Sequence, residues 1–205
     1  MSVAIALNDY TPPAKDVLQT HSGKVLKPLD PWPGDFDIED IAWSLAMQCR
    51  YNGHTKVFYS VAAHSILVSE FLPMHLRLEG LLHDASEAYL SDLPSPIKHQ
   101  MPEYRKVEAQ LESVIATQFH LIYPMHPKVK WADDYVFQLE CGLVMGGRMA
   151  EKFAVDAPER DLVERAIIRY AAWNPEVVAQ EFLRHYRTIT ETRGADLERA
   201  FKEKL

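Results

Sequence analysis

The sequence predicts an all-α fold. Apolar residues recur at intervals of three and four in seven successive stretches, and proline and glycine cluster at the start of the chain and between those stretches. Strand-like patterning is confined to one short segment near the N-terminus. A chain of 205 residues is long enough to bury a sizeable core and short enough to be read as one helical domain over 37–205, preceded by a lead-in over 1–36.

The lead-in is irregular because Pro12, Pro13, Pro28, Pro31, Pro33 and Gly34 interrupt any helix before it could extend. Within it, Val17 to Thr20 and Lys24 to Leu26 flank the turn-prone pair Ser22-Gly23, which suits a short hairpin over one edge of the core. A first helix opens after Asp37, placed to cap it, with Ile38, Ile41, Ala42, Leu45, Ala46 and Cys49 on one face. A second starts near Val57 and runs to Phe71 before Pro73. It is apolar on so many sides that it should lie centrally, and it carries His64.

A third helix is predicted from about His75 to Leu90, with Leu78, Leu81, Leu82, Ala85 and Tyr89 inward and the Leu-Pro-Ser-Pro run at 93–96 as its stop. A fourth, beyond Pro102, uses Val107, Leu111, Val114, Ile115 and Phe119. A fifth, after Pro127, uses Val129, Ala132, Val136, Leu139 and Leu143. Two more are expected over 158–172 and 175–190.

Composition excludes more than it selects. A net charge of -7, from 29 acidic against 22 basic residues, repels polyanions and argues against duplex nucleic acid as a partner. A small anion remains compatible if a metal or a locally positive pocket receives it. The two cysteines, Cys49 and Cys141, lie in apolar helical stretches and read as buried free thiols rather than a disulfide. The start of the chain lacks a secretory pattern, and no stretch approaches the roughly 20 apolar residues of a membrane span, so a cytoplasmic location is expected. A homodimer or higher homo-oligomer is expected on general grounds.

Chemistry enters through ionisable residues in the middle of apolar helices, where desolvation is costly unless a partner or a metal compensates. His64 sits in Val-Ala-Ala-His-Ser-Ile-Leu-Val, His83 and Asp84 follow Gly-Leu-Leu, and Asp133 sits in Lys-Trp-Ala-Asp-Asp-Tyr-Val-Phe. A lone histidine on such a helix is more often a hydrogen-bonded core residue. An adjacent His-Asp pair, joined by a second histidine on the preceding helix and an aspartate on a later one, points instead to one divalent cation. Two imidazoles and two carboxylates suit Mn, Co, Mg, Zn, Ni or Fe, and four protein ligands leave coordination positions open for a substrate.

The stretch Leu-Leu-His83-Asp84-Ala-Ser-Glu87-Ala-Tyr-Leu-Ser-Asp92-Leu-Pro-Ser-Pro-Ile-Lys98 resembles the signature of HD-domain phosphohydrolases. It is similar above all to bacterial HD 5′-deoxynucleotidases and phage dATP triphosphohydrolases. The likeness extends to Asp40-Ile-Ala, Cys-Arg50-Tyr-Asn-Gly-His54, Phe-Tyr59-Ser-Val-Ala-Ala-His64 and Val-Lys130-Trp-Ala-Asp133, covering roughly residues 37–145. The resemblance implies a helical bundle with a central mononuclear site held by His64, His83, Asp84 and Asp133. Asp134 competes with Asp133, but Asp133 matches the family's Ala-Asp and shares a face with Val129, Val136 and Glu140.

By the same resemblance Glu87, one helical turn after His83, is the carboxylate that takes a proton from the attacking water. Its alternative is a solvated surface acid. Asp92 matches a second family acid, or else is a turn residue before Leu93-Pro94. Arg50 matches an arginine that meets the substrate phosphate, with a surface arginine as the plain alternative, and His54 and Lys130 are weaker candidates of that kind. The implied reaction is hydrolysis of the 5′-phosphate ester of a deoxynucleotide, giving deoxynucleoside plus phosphate from a monophosphate, or plus triphosphate from a triphosphate.

Other members of the superfamily fit less well. Guanosine tetraphosphate hydrolases place an acid where Ala88 stands, and cyclic dinucleotide phosphodiesterases carry extra histidines and a Gly-Tyr-Pro element with no counterpart here. A different class of reading is a non-catalytic nucleotide sensor, or a helical protein-binding module that keeps its metal for stability.

Overall fold

The computed structural model describes residues 15–153 and 157–202, with side chains described to residue 194. Pro12, Pro13 and the rest of 1–14 lie outside the described residues. The expected hairpin is present: β1 (Leu18–Gln19) pairs antiparallel with β2 (Val25–Leu26), in register Leu18 to Leu26 and Gln19 to Val25. Gly23 turns the chain at φ +88°, a backbone conformation that a Cβ disfavours. The hairpin is fastened to the first helix, α1 (Ile38–Met47), through Asp40, which accepts from the Ser22 backbone amide at 2.7 Å and from Ser22 Oγ at 2.8 Å. His21 stacks on Trp43 of that helix, with centroids 4.0 Å apart.

Asp37 stands at the cap position of α1, but its side chain makes no cap hydrogen bond and instead pairs with Lys24 at 3.3 Å. The helix ends at Met47, earlier than the apolar pattern suggested, so Cys49 lies outside it and is only half-buried; Cys141 is buried as expected. A 3₁₀ turn, Arg50–Gly53, follows, with Tyr51 at φ 56° and Asn52 at φ 54°.

The second helix, α2 (Val61–Glu70), begins four residues later than predicted. Ser60 caps it by accepting from the Ala63 amide, and a bridge between Cys49 and Ser60 leaves Val57 to Tyr59 non-helical. All nine residues from Val61 to Ser69 are buried, which makes α2 the central helix.

The predicted helix over 75–90 is divided. A 3₁₀ turn at Met74–Leu76 leads into α3 (Arg77–Leu81), residues 82–86 form tight turns, and α4 (Glu87–Leu90) resumes. The turns close with three-residue hydrogen bonds, Ala85 N to Leu82 O and Glu87 N to Asp84 O. Next come a short α5 (Ser95–Lys98), α6 (Pro102–Phe119) and α7 (Pro127–Val144). Gln118 of α6 clasps the lead-in, accepting from Gly34 N at 2.8 Å and donating to Phe36 O.

The unforeseen α8 (Gly147–Lys152) precedes α9 (Arg160–Ala172) and α10 (Pro175–Lys202), which runs well past the expected 190. Around α2 pack α1, α3, α7, α9 and α10, so α2 with His64, α7 with Asp133, and α3, which leads into the turn bearing His83, meet on one core. Among the described residues, no helix is long and apolar enough to cross a membrane.

Candidate metal centre

The centre starts from α2, which carries His64 into the core with no solvent exposure. Its Nδ1 lies 2.9 Å from Glu140 Oε2, and its Nε2 lies 3.1 Å from Asp133 Oδ1 and 4.0 Å from Asp84 Oδ2. His83 arrives from the turn after α3. Its Nδ1 is 2.8 Å from the Gly80 carbonyl, and its Nε2 is 3.1 Å from Asp84 Oδ2 and 3.8 Å from Asp133 Oδ1. The expectation that His83, Asp84 and Glu87 lie along one continuous helix does not hold. They come together through turns because the Gly80 carbonyl, where α3 ends, is taken by the His83 ring.

One ligand atom each from His64, His83 and Asp133 lies within 4.8 Å of the other two, and this cluster could hold a metal ion. The chemistry of the donors fits. Each histidine has Nδ1 committed to an oxygen acceptor, which fixes that nitrogen as the N–H and leaves the Nε2 lone pair facing the cluster. His83 Nε2 is buried and makes no hydrogen bond. The carboxylates of Asp84, Asp133 and Glu140 give this point the negative charge that a cation requires.

The electrostatics of the protein alone describe the same demand. Burial opposes a charge on His83, yet the Asp84 carboxylate raises its pKa to about 9. Burial opposes a charge on Asp84, yet the His83 imidazolium lowers its pKa to about 2. Asp133 is likewise pushed down, because hydrogen bonding and charge from His64 and His83 outweigh its burial. The carboxylates draw positive charge to this point, which protons on the imidazoles or a cation can supply.

Beside the cluster opens a cleft of about 610 Å³ whose wall includes Arg50, Asp84, Glu87, Asp92, Lys130 and Asp133. Glu87 is buried, with Oε2 lacking a hydrogen-bond partner and Oε1 3.5 Å from Lys98 Nζ. Burial raises its pKa well above the usual carboxylate range, and the nearby Asp84 and Asp92 add to the effect. Asp92 is also raised, chiefly by burial. Its backbone amide donates to Gln48 Oε1 at 3.0 Å. Lys130 reaches Asp133 Oδ2 at 2.9 Å and Asp134 Oδ1 at 2.8 Å. His54 is exposed and is not among the residues lining the cleft.

Sequence reasoning gave no role to three residues that the structure places here. Tyr51 and Lys98 line the cleft, and Glu140 lies fully buried behind His64. Glu140 stands seven residues after Asp133 on α7, so the two-turn spacing was the available signal.

No family model matches the chain. It is 43% identical over 99 residues to the uncharacterized protein YfdR of Escherichia coli, a stretch that is 48% of this chain and 56% of that protein, little more than half its length. A 44-residue stretch, 20% of this chain, is 46% identical to 23% of a 5′-deoxynucleotidase from Vibrio atlanticus. The likeness to the uncharacterized protein RCAP_rcc00048 of Rhodobacter capsulatus is far more extensive, at 35% identity over 188 residues, 84% of this chain and 95% of that protein. On that coverage the chain belongs to the same family as the Rhodobacter capsulatus protein.

Proposed function

We propose that the protein is a metal-dependent phosphohydrolase that cleaves the 5′-phosphate ester of deoxynucleotides. The observation that carries this reading is the approach of His64, His83 and Asp133 to within 4.8 Å of one another, with Asp84 Oδ2 3.1 Å from His83 Nε2, beside an open cleft that also displays Arg50 and Glu87. The local likeness to a 5′-deoxynucleotidase supports the substrate class. The cleft volume suits a nucleotide-sized molecule.

In this reading His64, His83, Asp84 and Asp133 hold one divalent cation, which supplies Lewis-acid polarisation of a phosphoryl oxygen and lowers the pKa of water. Arg50 neutralises charge that develops on the phosphoryl oxygens, its Nη1 3.8 Å from Asp84 Oδ2 at the edge of the cluster. Glu87 accepts the proton of the attacking water, and its burial beside two other acids raises its basicity for that task. Lys98 keeps the Glu87 carboxylate oriented from 3.5 Å away, while Asp92 and Lys130 flank the substrate.

A panel of deoxynucleoside mono- and triphosphates incubated with Mn, Co, Mg or Zn tests the proposal, with products identified as phosphate or triphosphate. Wild-type protein releases deoxynucleoside from at least one substrate, and Glu87→Ala lowers the rate by about 10²–10⁴-fold. Absence of hydrolysis across the whole panel would overturn the enzyme reading in favour of a binding module.

A further inference from the structure

We propose that Glu140 is a positioning residue whose single buried carboxylate holds both the proposed metal ligand His64 and the proposed phosphate contact Arg50, together with the neighbouring Tyr51. The inference rests on the metal-dependent reading above and extends it to how the two halves of the site are kept together.

Three donors from two separate segments meet on this side chain. Glu140 Oε2 accepts from His64 Nδ1 at 2.9 Å, while Oε1 accepts from Arg50 Nε at 2.8 Å and from the Tyr51 hydroxyl at 2.9 Å. The carboxylate has no solvent exposure, so its charge depends on protein partners such as these. Burial alone would favour its neutral form, but Arg50 and His64 outweigh that and pull its pKa down to about 2.

Each bond leaves the working end of its donor pointing elsewhere. His64 keeps Nε2 for the cluster, 3.1 Å from Asp133 Oδ1. Arg50 is gripped through Nε, and its Nη1 lies 3.8 Å from Asp84 Oδ2 at the cleft wall. Tyr51 has a left-handed backbone at φ 56°, a conformation a non-glycine residue disfavours, and its hydroxyl bond to Glu140 helps hold it. Because α7 supplies Asp133 to the cluster and Glu140 behind it, one rigid helix sets the distance between cation and phosphate contacts.

Glu140→Gln keeps the shape but turns an NH₂ group toward either His64 Nδ1–H or Arg50 Nε–H, a donor facing a donor. The imidazole must then change tautomer or the guanidinium must move. The test measures Mn²⁺ binding by calorimetry, and inorganic phosphate binding to the Mn²⁺-loaded protein, in wild type, Glu140→Gln and Val136→Ala. Val136 is a buried core residue of the same helix with no polar contact, so its variant reports general destabilisation.

The expected result is a loss on the order of 10–100-fold in Mn²⁺ affinity, with weaker phosphate binding, for Glu140→Gln at an unchanged circular dichroism spectrum. Val136→Ala binds both as wild type does. Wild-type affinities in Glu140→Gln, or equal losses in Val136→Ala, overturn the positioning role. Should Glu140→Gln fail to fold, Glu140→Asp carries the test: it keeps the buried charge but is too short to reach His64 and Arg50 together. At least one of its two affinities must fall tenfold, and two unchanged affinities overturn the role. A wild-type protein that binds no Mn²⁺, Zn²⁺ or Co²⁺ removes the metal reading itself, and with it this one. Wild-type metal binding with indifferent Glu140 variants removes this one alone.

Discussion

The carbonyl oxygen of Gly80 lies 2.8 Å from His83 Nδ1 and sets the direction of the imidazole. Gly80 is buried where α3 crosses α2, and a Cβ there would collide with the Leu72 side chain and lie 3.1 Å from Ser69 Cα. Gly80→Ala should therefore push α3 outward, lowering stability by about 1–3 kcal/mol and weakening metal binding through the displaced carbonyl. Denaturant unfolding and metal titration of the variant check both effects; wild-type values for both would show that the helix crossing tolerates the methyl group.

Lys98 bears on the proton-accepting role given to Glu87. Burial, then Asp84 and Asp92, raise the Glu87 pKa, while Lys98 at 3.5 Å lowers it. Lys98→Met removes the lowering influence, so a carboxylate that must be ionised to work becomes ionised only at higher pH. The acidic limb of the kcat/KM profile should move upward in pH, with little change on the alkaline side. An acidic limb that stays in place would separate Lys98 from Glu87.

Glu112, on α6 beside a small cavity of about 40 Å³, gives a stability prediction of the opposite kind from a paired carboxylate. Burial, and after it the charge of Glu108, raises its pKa to about 7. An acid whose pKa is higher in the folded than in the unfolded chain favours the fold while protonated. That contribution is complete below the unfolded value of roughly 4.3 and is lost as pH rises through about 7. Glu112→Gln should consequently melt higher than wild type at pH 8 and lose most of that advantage at pH 4. An advantage independent of pH would mean that ionisation of Glu112 costs nothing.

Much of this architecture could be read from residue order, and the exceptions have physical causes. The central position of α2 was legible because its nine buried residues contain only His64 and two serines among apolar neighbours. Val57 to Tyr59 continue that apolar run but are held non-helical by the bridge at Ser60, which periodicity cannot register. The break at 82–86 was invisible for a related reason: Leu78, Leu81, Leu82, Ala85 and Tyr89 face the core whether they come from one helix or from turns.

The four proposed ligands stood out as charged or imidazole side chains in apolar surroundings; one ligand atom each from His64, His83 and Asp133 lies within 4.8 Å of the other two, while Asp84 stands beside that cluster with Oδ2 3.1 Å from His83 Nε2 and 4.0 Å from His64 Nε2. Glu140 did not stand out, since a single acid on a helix normally faces solvent. Its partners Arg50, Tyr51 and His64 lie far away in sequence, and only the fold reveals that they share it.

The direct test of the central idea, one cation held by His64, His83, Asp84 and Asp133, is an anomalous-difference map from crystals of the protein soaked in zinc. A single strong peak should lie within about 2.0–2.2 Å of His64 Nε2, His83 Nε2 and carboxylate oxygens of Asp84 and Asp133. A map with no peak at these four side chains, or with zinc bound only elsewhere, would contradict it.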